Sequence, residues 1–260
     1  MDEAEFDALL DKSLKPRGPE ILYAKMRSLG LQKYHTVLDI GCRDAQHSIK
    51  LAKQFGANLV AIDPIDFNIK KATKLLKQHK LQSRVTLLQG RMEDLPLDDY
   101  SIDFVWCRDM LNHVSNLKLG FQECARVLEQ NGKMLIFVNL ATDLLEPKEA
   151  QFLCESLSLI PANMSKKNLE RAMQSAKLKI LECDRVDSEW REWGFEQNGK
   201  EAHTSQQLLR LARMRRNRDN LIKTIGIKAY NSELADCLWG VYIMLGKLCP
   251  YVYTLLKKKS

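Results

Sequence analysis

The stretch Val37-Leu38-Asp39-Ile40-Gly41-Cys42-Arg43-Asp44-Ala45 decides how this chain is read. Thr36–Ile40 is a short apolar run ending at Gly41, which suits a strand buried on both faces of a parallel sheet. Helical spacing follows at once over residues 44–55. A glycine where such a strand hands over to a helix lets the backbone approach a ligand closely, and the helix N-terminus offers free N–H groups there. Asp63 ends the next strand, 24 positions after Asp39. A carboxylate about 20 residues downstream is placed to grip ribose hydroxyls. These features point to an adenosine-containing cofactor at the carboxyl edge of a sheet.

Working outward, strands and helices alternate. Residues 58–62 read as a strand, Asp66–His79 as a helix, 84–89 and 102–107 as strands, and 117–128 as a helix. Asn131-Gly132 makes a turn and residues 133–139 form a fifth strand. Strands separated by helices of about a dozen residues imply right-handed βαβ units and a parallel sheet covered on both faces. Further on, 165–176 looks helical and 178–184 strand-like, with 186–193 prolonging that strand; 206–218 and 232–245 read as helices. Residues 250–256 carry Tyr, Val, Thr and Leu and read as a terminal strand. Before the glycine turn, 5–14 and 20–29 have helical spacing on either side of the break at Lys15-Pro16-Arg17-Gly18-Pro19. The expected fold class is α/β: a doubly wound, mostly parallel, seven-stranded sheet. Its expected parts are an N-terminal helical cap (1–34), a Rossmann-like cofactor-binding core (35–200), a helical lid insertion (201–248) and the last core strand (249–260).

The 260 residues are 45% hydrophobic and 28% charged, with 12 Gly and 7 Pro. That composition excludes disordered, collagen-like and low-complexity classes. Charge is uneven: residues 1–160 carry 21 basic and 22 acidic side chains, whereas 161–260 carry 19 and 11. The net +7 therefore belongs to the C-terminal part, an excess too small to demand a nucleic acid. Seven scattered cysteines without a CxxC pair suit reduced thiols in a cytoplasmic protein. The five histidines do not cluster with them at metal-ligand spacing, so no metal site is expected. The acidic start Met1-Asp2-Glu3 is unlike a signal peptide, and the apolar run 237–245 is too short to span a bilayer.

Four tracts, in order over residues 35–140, resemble the class I S-adenosylmethionine-dependent methyltransferases, in particular the type 11 small-molecule group. Asp39-Ile40-Gly41 matches the start of the family's glycine motif. Leu87-Leu88-Gln89-Gly90, running into Arg91-Met92-Glu93-Asp94-Leu95-Pro96, is similar to its third-strand segment. Tyr100-Ser101-Ile102-Asp103-Phe104-Val105 is similar to its fourth strand, and Arg126-Val127-Leu128-Glu129-Gln130-Asn131-Gly132-Lys133 to the turn before the fifth. The resemblance implies S-adenosylmethionine as cofactor. It gives Asp39 and Gly41 the amino-acid end, Asp63 the ribose, and Pro64, Met92 and Glu93 the adenine, with Cys107 and Arg108 lining the methyl-donor pocket. The chain departs from the family at Arg43 and Ala45, where glycines are usual, and at Arg91, where Asp is usual. Arg43 either points away or offers its guanidinium to the cofactor carboxylate. A nicotinamide cofactor is disfavoured, because no second glycine follows Gly41 to approach a pyrophosphate.

Methyl transfer from a sulfonium needs alignment and exclusion of water, and a base only when the acceptor arrives protonated. His113 is the candidate base, with His47 and Asp109 behind it. Trp190, Tyr230, Trp239 and Tyr242, together with Trp193, could wall an acceptor pocket under the lid, or simply pack the insertion on the core. Arg210, Arg213, Arg215, Arg216 and Arg218 form a solvated face or an anion site. The expected acceptor is an aromatic or anionic small molecule, with no nucleic-acid partner and no membrane span. Two other readings remain open: an RNA or protein methyltransferase using the basic C-terminal part, and a non-catalytic protein on this fold.

Overall fold

The computed structural model describes residues 1–10, 15–197 and 203–258. Seven strands form one sheet in the order β3-β2-β1-β4-β5-β7-β6. They are β1 (Thr36–Ile40), β2 (Asn58–Asp63), β3 (Val85–Gln89), β4 (Ile102–Arg108), β5 (Leu128–Ala141), β6 (Leu178–Arg185) and β7 (Leu248–Lys257). The first five run parallel, and β7 lies antiparallel between β5 and β6. Strand order reverses between β1 and β4, which opens a crevice at their carboxyl ends.

The period-two rule of strands sorts side chains to two cores. Leu38, Ile40, Val105 and Cys107 face α5 (Leu117–Val127) and α7 (Lys166–Ser175), meeting Phe121, Cys124, Leu169 and Met173. Val37, Phe104, Trp106 and Leu135 face the other way. They meet α2 (Ile21–Ser28), α3 (Gln46–Phe55) and α4 (Asp66–His79) through Leu22, Met26, Ile49, Ala52 and Leu76. Arg17, ahead of α2, grips Glu189 and Asp184 at 2.7 and 2.8 Å and ties the N-terminal segment to the end of β6.

The C-terminal part differs from the sequence reading in three places. The stretch 186–193 does not prolong β6. Asp187 turns with φ 52°, and α8 (Glu189–Glu196) begins just beyond it. A helix between β5 and β6 went unread: α6 (Pro147–Leu157) starts with a reciprocal Glu146/Glu149 capping box around Pro147. The helix expected at 232–245 begins earlier, as α10 (Arg218–Met244), broken at Gly226 (φ 81°, ψ 158°). With α9 (His203–Arg216) it forms a hairpin closed by Met214, Tyr230 and Cys237. Its base packs on α6 through Leu153, Cys154, Ala235 and Ile243. The first helix, α1, covers Glu3–Leu10 and buries no side chain; the rest of the helix expected over 5–14 lies outside the described residues. Among the described residues no helix is long and apolar enough to cross a membrane.

Candidate cofactor and acceptor site

The crevice is a cavity of about 720 Å³. That lies within the roughly 300–1,000 Å³ of small-molecule sites. Its floor is the β1–α3 turn. Gly41 sits at φ 72°, and Arg43 and Ala45 are also left-handed, at 49° and 62°. This backbone lets Gly41 and Cys42 both donate to the Ile62 carbonyl, at 2.8 and 3.0 Å. A Cβ on Gly41 would lie 2.8 Å from Met110 Cγ, so the turn and the loop after β4 close on each other there.

Asp39 is buried beneath the turn, and Ser48 Oγ–H donates to its Oδ2 at 2.5 Å. Desolvation pushes its carboxyl up to about 6, against the pull of Ser48 and Arg108. Beside it runs a chain that the sequence did not reveal. The Arg108 guanidinium donates to His47 Nε2. A guanidinium has no acceptor, so Nε2 is the bare nitrogen, and Nδ1–H donates to the Tyr23 hydroxyl oxygen at 2.7 Å. Burial, then Arg108 and Lys50, hold His47 down at about 4, so the ring is neutral. The Arg108 guanidinium lies 5.8 and 5.9 Å from the rings of Phe137 and Trp190, which stack on each other at 4.2 Å.

At the end of β2, Asp63 accepts from the backbone N–H of Arg43 and Ile65 at 3.0 Å and from Asn68 Nδ2 at 2.9 Å. Those bonds hold its carboxylate at the cavity wall and leave acceptor capacity over. Pro64, Met92 and Glu93 line the same side. Met92 is packed against Gly120 of α5, where a Cβ would meet its Cγ at 3.0 Å. Glu93 Oε1 accepts from Ser115 and Asn116 N–H at 2.8 and 3.3 Å. Arg43 lines the cavity with its side chain exposed, and it leaves the cavity open.

The far half of the cavity is walled by Asp109, Met110, Asn112 and His113 from the loop after β4. Leu157, Leu159, Asp236 and Trp239 come from α6, the turn after it, and α10. Asn163 Nδ2 donates to the Leu111 and Val114 carbonyls at 2.9 and 2.7 Å, which pins the loop carrying His113. His113 Nδ1 lies 3.2 Å from the Ser158 carbonyl, so Nδ1 carries the hydrogen and Nε2 the lone pair.

Five of the expected site residues are elsewhere. Cys107 is fully buried in the α5 side of the core, because strand alternation gives the cavity to Arg108. Trp190 stacks behind Arg108 on Phe137 rather than facing the cavity. Tyr230 is buried inside the α9–α10 hairpin, with its hydroxyl 3.4 Å from the Met214 carbonyl. Tyr242 packs between α6 and α10, near Lys247. Trp193 lies under Gly18, where a Cβ would touch its ring at 2.5 Å. Among the described residues, none of the five arginines from Arg210 to Arg218 lines the cavity.

The donor set suits a cofactor with a ribose, a flat base and a zwitterionic amino-acid end. Asp63 can take hydroxyls, Met92 and Ile65 form an apolar slot, and Asp39 and Arg108 offer opposite charges. Arg108 Nε and Asn112 Oδ1 are buried without a partner among the described residues. Residues 38–136 match the family model described as Methyltransferase domain. Over that stretch, less than half of the chain, it is similar to methyltransferase domains.

Among curated relatives it is 28% identical over 131 residues to the uncharacterized methyltransferase YcgJ of Bacillus subtilis (strain 168), covering 48% of this chain and 51% of that one. It is 27% identical to the chloroplastic tocopherol O-methyltransferase of Arabidopsis thaliana, covering 58% and 46%. The chain thus spans about half the length of these two relatives. The structure of a putative sarcosine dimethylglycine methyltransferase from Galdieria sulphuraria superposes with a TM-score of 0.71 at 19% identity, over 92% of this chain and 84% of that one. That likeness shows the Rossmann-like fold.

Proposed function

We propose that this chain is an S-adenosylmethionine-dependent methyltransferase that alkylates a small molecule beneath a helical lid, residues 201–248. One observation carries the reading. A single cavity runs from Asp39, Gly41 and Asp63 at the sheet edge to Asp236 and Trp239 on α10. S-adenosylmethionine supplies an activated methyl group, so the protein's work is binding, alignment and exclusion of water. Asp39 receives the ammonium and Arg108, with Arg43 at the rim, the carboxylate; Asp63 holds the ribose, and Pro64, Met92 and Glu93 surround the adenine.

Asp109 and Asp236 stand on the acceptor wall, and the half-buried Arg191 lies near both. One negative charge remains in excess, which favours an amine or neutral acceptor over the anionic one expected from the sequence. Trp239 gives such a cation an aromatic face. A protonated amine must lose its proton before attack, and His113 Nε2 is the group to take it. Support also comes from relatives named for small-molecule acceptors, tocopherol and sarcosine among them. The seven free cysteines support a cytoplasmic location.

The test is calorimetric titration with S-adenosylmethionine and S-adenosylhomocysteine, with NADH as control. Micromolar binding of the first two and none of the control is expected, and Asp63→Ala should weaken it without unfolding the chain. Absence of binding by the parent protein would overturn the assignment.

A further inference from the structure

The arginines that the cavity does not use gather on the α9–α10 hairpin. Residues 203–229 hold seven Lys and Arg against one Asp, a local +6 out of the chain's net +7. Arg210 pairs with Glu233, and Arg218 with Asp219. Arg213, Arg215, Arg216, Lys223 and Lys228 are exposed and form no ion pair among the described residues.

Aliphatic side chains stand among these charges. Leu208, Leu209, Ile225 and Ile227 are 48%, 51%, 44% and 47% exposed. On α9, Leu209, Arg213 and Arg216 share one outward stripe at helical spacing, and Leu208 and Arg215 the stripe beside it; Leu211 and Met214 turn inward to Tyr230. At the break in α10, Gly226 takes a conformation that only glycine adopts readily, and the flanking Ile225 and Ile227 are left in solvent. A groove of about 470 Å³ runs along the hairpin, with Leu209, Met214 and Leu221 in its wall and Arg210 and Arg213 beside them.

Cations and unpartnered aliphatic side chains gathered on one helical hairpin match a surface with phosphates above and acyl chains below. We propose that the α9–α10 hairpin docks on an anionic phospholipid bilayer, its arginines at the headgroups and Leu208, Leu209, Ile225 and Ile227 in the acyl boundary. Charge complementarity selects this occupant. A single-stranded nucleic acid would need aromatic platforms among the cations, and Tyr230, the one aromatic residue on this part of the hairpin, is buried. The docking stands apart from the methyltransferase reading, since none of these residues lines the cavity.

The experiment is flotation of the full chain with vesicles of phosphatidylcholine alone or mixed equally with phosphatidylglycerol, at low and high salt. Mixed vesicles should carry the protein, neutral ones should not, and salt should release most of it. Replacing Arg215→Ala and Arg216→Ala together should weaken binding about 25-fold, roughly fivefold per cation removed. Ile225→Ser with Ile227→Ser should also weaken it, while circular dichroism and melting temperature stay at the parent values. The proposal is overturned if neither vesicle binds, if neutral and anionic vesicles bind alike, if folded variants bind as the parent does, or if single-stranded RNA outcompetes the mixed vesicles for the same arginines.

Discussion

Arg108 and Cys107 are neighbours at the end of β4, yet one reaches the cavity and the other is sealed in the core. The motif names both, and strand parity separates them. The consequence of Arg108 is felt at His47. Burial and the guanidinium hold that imidazole at about 4, below its ordinary 6.5. The unfolded chain therefore binds the proton more readily between those values. His47 contributes stability above pH 6.5 that is lost as the pH falls through 4, on the order of 3 kcal/mol. Asp39 has the opposite sign: with its carboxyl at about 6, its contribution is present below its ordinary 3.8 and lost as the pH rises through 6. In an Asp39→Asn background, thermal melts from pH 7 down to pH 4 should show a smaller loss of stability for His47→Asn than for the chain that keeps His47. Identical pH profiles would remove His47 from this account.

At the scale of elements, the β1–α3 turn was legible because its signals are local: an apolar run, a glycine, then helical spacing. Its tolerance is set by contacts from afar. Gly41→Ala would place a methyl group at φ 72° and 2.8 Å from Met110 Cγ. A left-handed alanine costs roughly 1–2 kcal/mol, and Met110 must also move toward the cavity. Urea denaturation should show a loss of about 2 kcal/mol with the slope unchanged, and titration should show weaker cofactor binding. Parental stability and affinity together would mean that the turn has slack. The segment at 186–193 was misread for a complementary reason. Val186, Trp190 and Trp193 suit a strand by composition, and the left-handed turn at Asp187 that starts α8 leaves no comparable local signal. The capping box at Glu146–Glu149 was such a signal, and it could have located α6.

At the scale of the whole molecule, the sheet depends on its last strand. β7 lies antiparallel between β5 and β6, and its Val252, Tyr253 and Leu255 are fully buried. Chain truncated before Leu248 would leave β6 with no partner in the sheet and both cores open at that edge. Such a chain should lose near-ultraviolet dichroism and bind a hydrophobic dye, while keeping much of its helix signal. A cooperative unfolding transition in the truncated chain would show that β1–β5 form a self-sufficient unit. The same dependence on distant pairing explains the cavity. Its sheet-edge half and part of its far wall come from residues 39–115, and the rest of the far wall from Leu157, Leu159, Asp236 and Trp239.

The amino-acid sequence alone determined the alternation of strands and helices, the seven-stranded α/β class, the glycine turn and the carboxylate after β2. These are set by periodicity and by neighbours within a few positions, where local sterics and backbone hydrogen bonding dominate. Only the tertiary structure decided which aromatic residues face the cavity. Trp239 does, while Trp190, Tyr230 and Tyr242 pack elsewhere, because a helix's facing is chosen by what it buries against and its own sequence offers several apolar stripes. It also decided that the arginines of α9 lie outside the crevice cavity and that Tyr23, His47 and Arg108, 85 positions apart at the extremes, form one hydrogen-bonded chain. Contacts at that separation follow from sheet order and helix docking, which no local pattern encodes.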